Sequence, residues 1–197
     1  RHVAMIDAVE FKASTGDEVK TIGSAVPLLL TAFVEIPLEP DPSPLIAMIG
    51  KSGLRAKGRM GGITPDAFPP SAHIARFIQT CVHAQVSFKA TAGLHHPLRG
   101  TYRLTYEPNS PTGTMYGFLN VFIATGVAQF GGGVDDINAA LVETSPLAFQ
   151  LSDEEITWRK YRLSISGISS LRSKLAMSIG SCSFTEPIDE LKTLRLI

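Results

Sequence analysis

Residues Val86–Gly93 read Val-Ser-Phe-Lys-Ala-Thr-Ala-Gly, and they carry the pattern that sets the fold of the first half of the chain. Valine, phenylalanine and threonine in close succession favour a β-strand, yet a lysine stands in the middle of it. The same pattern occurs at Val9–Gly16, which reads Val-Glu-Phe-Lys-Ala-Ser-Thr-Gly. Two lysines in such similar strands indicate that the charged side chains of this sheet have a structural or functional role.

Charged residues recur in each of four predicted strands. These strands are Ala4–Ala13, Ala32–Leu38, Leu54–Arg59 and Val86–Ala92. Helical patterns separate them, and the predicted helices are Asp17–Leu30, Ser43–Lys51 and Ser71–Gln85. Strands that alternate regularly with helices form βα units, and consecutive βα units build a parallel sheet.

After Gly100 this regular alternation is lost. We predict a strand at Tyr102–Tyr106, a hairpin or helix start at Ala148–Trp158, and helices at Gly113–Gln129, Asp135–Glu143, Tyr161–Ile179 and Glu186–Ile197. The predicted fold class is therefore α/β: a partial or truncated (β/α) TIM-barrel-like parallel sheet over residues 1–100, with a mainly helical completion of the same domain over residues 101–197. An open α/β sheet with a helical cap is the alternative.

Composition limits the function classes. The chain carries 18 basic and 18 acidic side chains, so its formal net charge is zero. Without a basic excess to neutralise phosphates, nucleic acid is not expected as a ligand. No apolar run reaches the ~20 residues that span a bilayer, and the N-terminus lacks a signal-peptide pattern. We expect a cytoplasmic protein that does not bind membranes.

Motifs for cofactors and metals are missing from the sequence. Neither GxGxxG nor GxxxxGK[ST] occurs, and neither HExxH nor His-x-His spacing supports zinc, so no cofactor and no metal site are predicted. Cys81 and Cys182 lie far apart and without CxxC spacing, which indicates neither a zinc ribbon nor a disulfide framework. Because no histidine is near it in sequence, Cys182 is interpreted as structural.

Side chains alternate between the two faces of a strand, and this alternation groups the charges. Glu10 and Lys12 share a face, and so do Lys89 and Thr91. The remaining charges on the predicted strands are Glu35, Arg55, Lys57 and Arg59. We predict that the charged side chains converge on one face of the sheet, near the carboxyl ends of the strands where barrel enzymes bind their substrates.

Two interpretations of this charge remain open. Buried charges are costly unless they are paired, so the residues can form a purely structural ion-pair lattice. Alternatively, the cations outnumber the carboxylates and attract a small anionic molecule. A lysine among other cations becomes a nucleophilic amine that forms a Schiff base with a carbonyl compound.

Two resemblances bear on this choice. The segments Ala56–Gly62, Phe88–Pro97 (Phe-Lys-Ala-Thr-Ala-Gly-Leu-His-His-Pro) and Gly180–Pro187 (Gly-Ser-Cys-Ser-Phe-Thr-Glu-Pro) resemble those of a family of uncharacterised bacterial proteins. Lys-x-Thr-x-Gly at a strand end, with a second lysine and Gly-Gly on another strand, is similar to class I aldolases of the deoxyribose-phosphate type. That resemblance implies a (β/α) barrel with Lys89 as the Schiff-base nucleophile and Lys57 as its activating neighbour.

Turn residues next to the strands offer further candidates. Backbone N–H groups at Gly61 and Gly62 can approach an anion beside Arg59, although a plain tight turn fits the pair equally. One of His95 and His96 can serve as an acid or base, or the pair can simply cap the turn. Arg99 is a further anion contact or a surface residue.

These arguments give one set of site residues. The predicted catalytic residues are Lys89, Lys57, His95 and Glu35, and the predicted substrate-binding residues are Glu10, Lys12, Arg59, Gly61, Gly62, Thr91, His96 and Arg99. The expected function is a cofactor-independent lyase or aldolase-like enzyme; the alternative is a non-catalytic binding or interaction protein on a barrel-derived scaffold. Because four strands leave unpaired sheet edges, we expect a homodimer or part of a longer chain.

Overall fold

The computed structural model describes residues 5–183 and 185–197. Ala4, in the first predicted strand, and Phe184, in one of the segments quoted above, lie outside these residues. The strands are β1 Ala8–Lys12, β2 Thr31–Glu35, β3 Arg55–Arg59, β4 Phe88–Thr91, β5 Gly100–Arg103, β6 Thr112–Met115, β7 Phe149–Leu151, β8 Glu155–Trp158, β9 Tyr161–Ser164 and β10 Ala176–Ile179. The helices are α1 Gly16–Ala25, α2 Ser43–Lys51, α3 Ser71–His83, α4 Phe118–Gln129, α5 Val134–Val142, α6 Ile165–Lys174 and α7 Glu186–Thr193.

The main sheet has five strands in the order β1-β2-β3-β4-β10, and each neighbouring pair is parallel. The predicted α/β class and the four βα-type strands are confirmed. The fifth strand, β10, was not predicted. It joins the edge of β4 from near the end of the chain.

Local signals explain the helices between these strands. Thr15 caps α1 in a capping box with Glu18, in which each side chain bonds the other's backbone N–H. The apolar positions of α3 recur at helical spacing and are buried. One of them, Phe77, packs edge-on against Phe88 of β4 with ring centroids 5.4 Å apart. This contact seats α3 on the sheet.

The two faces of the sheet differ in chemistry. Right-handed crossovers between strands in sequential order place α1, α2 and α3 on the same face. The side chains that point towards these helices are small or apolar, including Val34, Ala56 and Phe88, which are all buried. At Gly58 a Cβ would lie 2.8 Å from the Phe77 ring, so glycine is required there. The opposite face carries the charged side chains.

The second half of the chain is less helical than predicted. Six of the ten strands found in the described residues lie in it: β5 and β6 form an antiparallel hairpin, β7, β8 and β9 form a three-stranded antiparallel sheet, and β10 joins the main sheet. The predicted helix Tyr161–Ile179 is wrong at both ends, because its first residues pair with β8 and its last residues pair with β4. Tertiary pairing overrides local propensity here.

Helix α4 lies at the centre of the second half. Most of its residues are buried, except Phe118, Phe122 and Gln129, and it packs against α3, α5, α6 and β10. Gly126 permits close contact, because a Cβ there would lie 2.1 Å from the Leu163 side chain. Other elements of the same chain therefore cover most of α4, and the homodimer stays a prediction. None of the helices in the described residues is long and apolar enough to cross a membrane.

Candidate functional site

The register of the sheet aligns four charged residues in one row. Lys12 pairs with Glu35, Glu35 with Lys57, and Lys57 with Lys89, across β1, β2, β3 and β4. Register partners in a parallel sheet point to the same face, so these four side chains emerge side by side. We call Lys12, Glu35, Lys57 and Lys89 the charged row.

Glu10 joins the lysines of the charged row. The Lys57 Nζ lies 2.6 Å from Glu10 Oε2, and the Lys89 Nζ lies 2.7 Å from Glu10 Oε1. Glu35 is 3.0 Å from Lys57 and 3.4 Å from Lys12. These contacts bring together five of the charged side chains that were predicted to converge, whereas Arg59 takes part in none of these contacts.

The reach of Glu10 reveals the shape of the sheet. Glu10 is on β1 and Lys89 is on β4, three strands away in the sheet. Strands in a flat sheet are ~4.8 Å apart, so these two backbones would be separated by about 14 Å. A direct contact between their side chains requires the sheet to curl towards its charged face.

Burial and pairing set the charge states of this network. Burial opposes the charge of Lys57, but its bonds to Glu10 and Glu35 outweigh burial and raise its pKa. Burial also opposes ionisation of Glu35, yet Lys57 and Lys12 hold its pKa below the usual value. Hydrogen bonds from Lys57 and Lys89 lower the pKa of Glu10. All three groups are charged at neutral pH.

A buried aromatic ring lies beside the charged row on the same face of the sheet. Phe33 is next to Glu10 and Arg55 in the register, and it is 6 % exposed. The Lys89 Nζ and the Arg55 guanidinium lie 5.9 Å and 5.8 Å from its ring centroid. These cation–π contacts place both cations against a buried, apolar ring.

Arg59 lies apart from the ion pairs, at the carboxyl ends of the strands. It lines a cavity of about 510 Å³, which we call the first cavity, together with Lys12 and Glu35. His73, which contacts Glu39 at 3.1 Å, lines the same cavity. Thr91, the register partner of Arg59, has a buried Oγ1 without a hydrogen-bond partner among the described residues.

Gly61 and Gly62 serve close packing. A Cβ on Gly61 would lie 2.3 Å from the Phe68 ring, and one on Gly62 would lie 2.7 Å from the Ala67 Cβ. The ring of Phe68 thus fills the space where a side chain would stand. This contact accounts for the glycine at position 61, and anion binding by the pair stays a prediction.

His95 and His96 follow the carboxyl end of β4, and Cys182 follows the carboxyl end of the adjacent β10. Both histidines and Cys182 line a cavity of about 480 Å³, which we call the second cavity. The Cys182 Sγ lies 3.3 Å from His95 Nδ1. The sequence interpretation of Cys182 as structural missed this contact, because the two residues meet only through the pairing of β4 and β10.

Other polar groups of the second cavity form a chain of contacts. Tyr106 donates a hydrogen bond of 2.8 Å to Glu186 and lies 3.5 Å from the Cys182 sulfur. These contacts raise the pKa of the Tyr106 hydroxyl, which stays protonated. Burial and the neighbouring His96 lower the pKa of His95, so its imidazole is neutral at pH 7. The second cavity thus holds a thiol beside a neutral base.

Asn120 on α4 was not predicted, although it positions the histidine loop. Its Oδ1 accepts a bond of 2.8 Å from the backbone N–H of Arg99, and its Nδ2 donates to the carbonyls of Ala140 and Glu143. The side chain of Arg99 lines neither cavity, and its Nε is buried without a partner in the described part of the chain. A single buried asparagine in an apolar helix is the sequence signal that points to such a role.

Comparisons of this chain with protein-family models, with curated proteins and with solved structures found no match. Eight of the predicted site residues fall into two groups by their position in the structure. Glu10 and the charged row share one face of the sheet, and Lys12, Glu35 and Arg59 line the first cavity. His95 and His96 belong to the second cavity.

We expect the two cysteines to differ sharply in reactivity. Cys182 is exposed, whereas Cys81 is buried in α3 and burial raises the pKa of its thiol well above the usual value. Iodoacetamide should modify Cys182 more than about tenfold faster than Cys81 in the native protein, because only Cys182 is accessible. Peptide mass spectrometry measures both rates, and urea should equalise them. Equal native rates would contradict the described burial.

Proposed function

We propose that the protein is a cofactor-independent enzyme, of lyase or aldolase type, that acts on a small anionic carbonyl compound. The observation that supports it best is the position of Lys89 on the charged sheet face, where Glu10 accepts hydrogen bonds from both Lys89 and Lys57. Lysines in an ordered, partly desolvated cluster are suited to form imines with carbonyl compounds. The resemblance to class I aldolases favours the same chemistry.

Each charged residue has a role in this proposal. Lys89 supplies the nucleophilic amine, and Glu10, at 2.7 Å, accepts the proton that the amine loses. Lys57 remains a cation because two carboxylates raise its pKa, so it stabilises negative charge and is not the nucleophile. Lys12, whose side chain is 78 % exposed, and Arg59 are the outer contacts for an anionic group.

The reaction step is an ordinary imine formation. The Lys89 nitrogen attacks the carbonyl carbon of the substrate, and the carbonyl oxygen leaves as water after two proton transfers. In the protonated imine the bond between the α and β carbons of the substrate breaks: the β-hydroxyl loses its proton, its carbon leaves as an aldehyde, and the electron pair of the broken bond forms an enamine. Protonation of the enamine at the α carbon restores the imine. Hydrolysis of the imine returns the amine and releases the carbonyl product.

We further propose that the sheet represents part of a (β/α) barrel-like arrangement. Strands in sequential order, all parallel and curled towards one face, are the arrangement expected of consecutive barrel units. In that arrangement, the charged row lies where a barrel has its interior. The substrate then enters from the carboxyl ends of the strands, at the first cavity.

Reductive trapping tests the proposal. We expect sodium borohydride with glyoxylate, pyruvate or a sugar phosphate aldehyde to give one adduct per chain, located at Lys89 by peptide mass spectrometry. Lys89→Arg keeps the positive charge and should abolish that adduct, because arginine forms no such imine. The matched control is Lys20→Arg on the exposed face of α1, which should leave the adduct unchanged.

A different distribution of adducts would contradict the proposal. Adducts spread over exposed lysines, with the same yield in the Lys89→Arg variant, would reject Schiff-base chemistry at Lys89. The charged row would then be a structural lattice, as in the alternative of a non-catalytic binding protein.

A further inference from the structure

Three possible metal ligands meet beside the second cavity. His96 Nδ1 lies 2.7 Å from Glu190 Oε1, and one ligand atom from each of His96, Glu186 and Glu190 lies within 4.8 Å of the others. The glutamates are four residues apart on α7, so they share one face of the helix. The histidine comes from the loop after β4, far away in sequence.

The histidine is held in place before any ligand binds. His96 is 8 % exposed, and its ring stacks on Tyr102 with centroids 3.4 Å apart. Its backbone carbonyl accepts a hydrogen bond from the N–H of Phe118 at the start of α4. A ligand whose rotamer and backbone are both fixed loses little entropy on binding an ion.

The charge of this group is not balanced by lysine or arginine. Glu190 pairs only with His96, and Glu186 forms no ion pair, among the residues that the structure describes. Both side chains are partly buried. Two carboxylates that approach each other without a cation repel, and a divalent ion removes this repulsion.

We propose that His96, Glu186 and Glu190 bind one divalent transition-metal ion of the Zn²⁺ class. One imidazole with two carboxylates suits zinc, whereas Mg²⁺ and Ca²⁺ favour all-oxygen sites. Tetrahedral ligands at ~2.0–2.1 Å from zinc are about 3.4 Å apart. The 2.7 Å contact of His96 and Glu190 therefore needs to widen by about 0.7 Å, and ligand atoms that lie up to 4.8 Å apart need to approach by as much as about 1.4 Å.

The geometry also indicates a catalytic type of site. Three protein ligands leave a fourth position open, and His96 and Glu186 both line the second cavity. A water or a substrate oxygen bound there faces Tyr106 and Cys182, which line the same cavity. This site is separate from Lys89, so the inference does not depend on the proposed lysine chemistry.

Zinc titration of the tag-free, chelator-treated protein tests the inference. We expect one Zn²⁺ per chain by native mass spectrometry and calorimetry, with a rise in Tm on binding. Glu190→Gln and Glu186→Gln should each weaken binding by about 100-fold or more, since even partners of ligands contribute 10- to 100-fold. Glu107→Gln, an exposed glutamate outside the site, is the matched control and should bind as the parent does.

Two further variants locate the ion. Cys182→Ser should leave the affinity unchanged, and Co²⁺ should give d–d absorption without a thiolate charge-transfer band. Loss of binding in Cys182→Ser, or an intense thiolate band, would place the ion on Cys182 and overturn the assignment. Absence of stoichiometric Zn²⁺ in the parent, or unchanged binding by both glutamine variants, would also overturn it. Circular dichroism of each metal-free variant confirms that the comparison is between folded proteins.

Discussion

Replacing Lys57 with methionine is expected to lower the free energy of unfolding by about 3–5 kcal/mol, the usual result of breaking a buried ion pair from one side. The side chains of Lys57 and Glu35 are only 13 % and 10 % exposed, so Glu35 would lose its nearest cation while still shielded from water. Methionine preserves the length of the stem. Urea denaturation at pH 7 measures the loss.

Two control variants distinguish the effect of stranding a buried carboxylate from the effect of simply removing a positive charge. Lys12→Met removes another cation that contacts Glu35, but Lys12 is 78 % exposed, so the expected loss is about 0–1 kcal/mol. Glu35→Gln combined with Lys57→Met removes the stranded carboxylate, and the double variant should be more stable than Lys57→Met alone. Equal losses for Lys57→Met and Lys12→Met would contradict the described burial.

The loss of stability caused by Lys57→Met is expected to depend on pH. The pKa of Glu35 is depressed in the fold, so its contribution is present above the ordinary value of 4.5 and is lost as pH falls through the folded pKa. The pKa of Lys57 is raised, so its contribution is present below 10.5 and is lost as pH rises through the folded pKa. The difference in the free energy of unfolding between the parent and Lys57→Met is therefore largest between these pH limits. It becomes smaller in acid as Glu35 takes up a proton.

The charged face could be predicted because it depends on local rules. Side chains on a strand alternate between faces, so Glu10 and Lys12 had to emerge together. Regular βα spacing implied a parallel sheet, and parallel neighbours in register then aligned Lys57 with Lys89. The pattern did not predict that Glu10 reaches across to β4, since this contact depends on how strongly the sheet curls.

The second cavity could not be predicted, because distant segments build it. Cys182 meets His95 only after β10 has paired with β4, and the sequence around β10 favoured a continuous helix. Similarly, Glu190 reaches His96 only through the docking of α7. Searches for metal motifs test short spacings, and no such spacing joins a loop after β4 to the last helix.

Replacing Asn120 with alanine is expected to lower the free energy of unfolding by about 3 kcal/mol or more. Asn120 is fully buried, and its side chain satisfies the Arg99 N–H and the carbonyls of Ala140 and Glu143. Alanine would leave the buried Ala140 carbonyl and the two partly buried groups without their partner, and an unsatisfied buried group costs about 1–3 kcal/mol. The penalty is large because α4 offers no other polar side chain at this position.

The destabilisation in Asn120→Ala is expected to be concentrated in the loop that carries His95 and His96. The Arg99 amide anchors the loop that carries His95 and His96, so its hydrogen exchange should accelerate in Asn120→Ala well before global unfolding. Urea denaturation gives the total loss, and exchange mass spectrometry over residues 95–100 locates it. Asn109→Ala, at an exposed position between β5 and β6, should change stability by less than about 0.5 kcal/mol. A loss below 1 kcal/mol for Asn120→Ala, with unchanged exchange in the loop, would show that Asn120 does not hold the histidines in place.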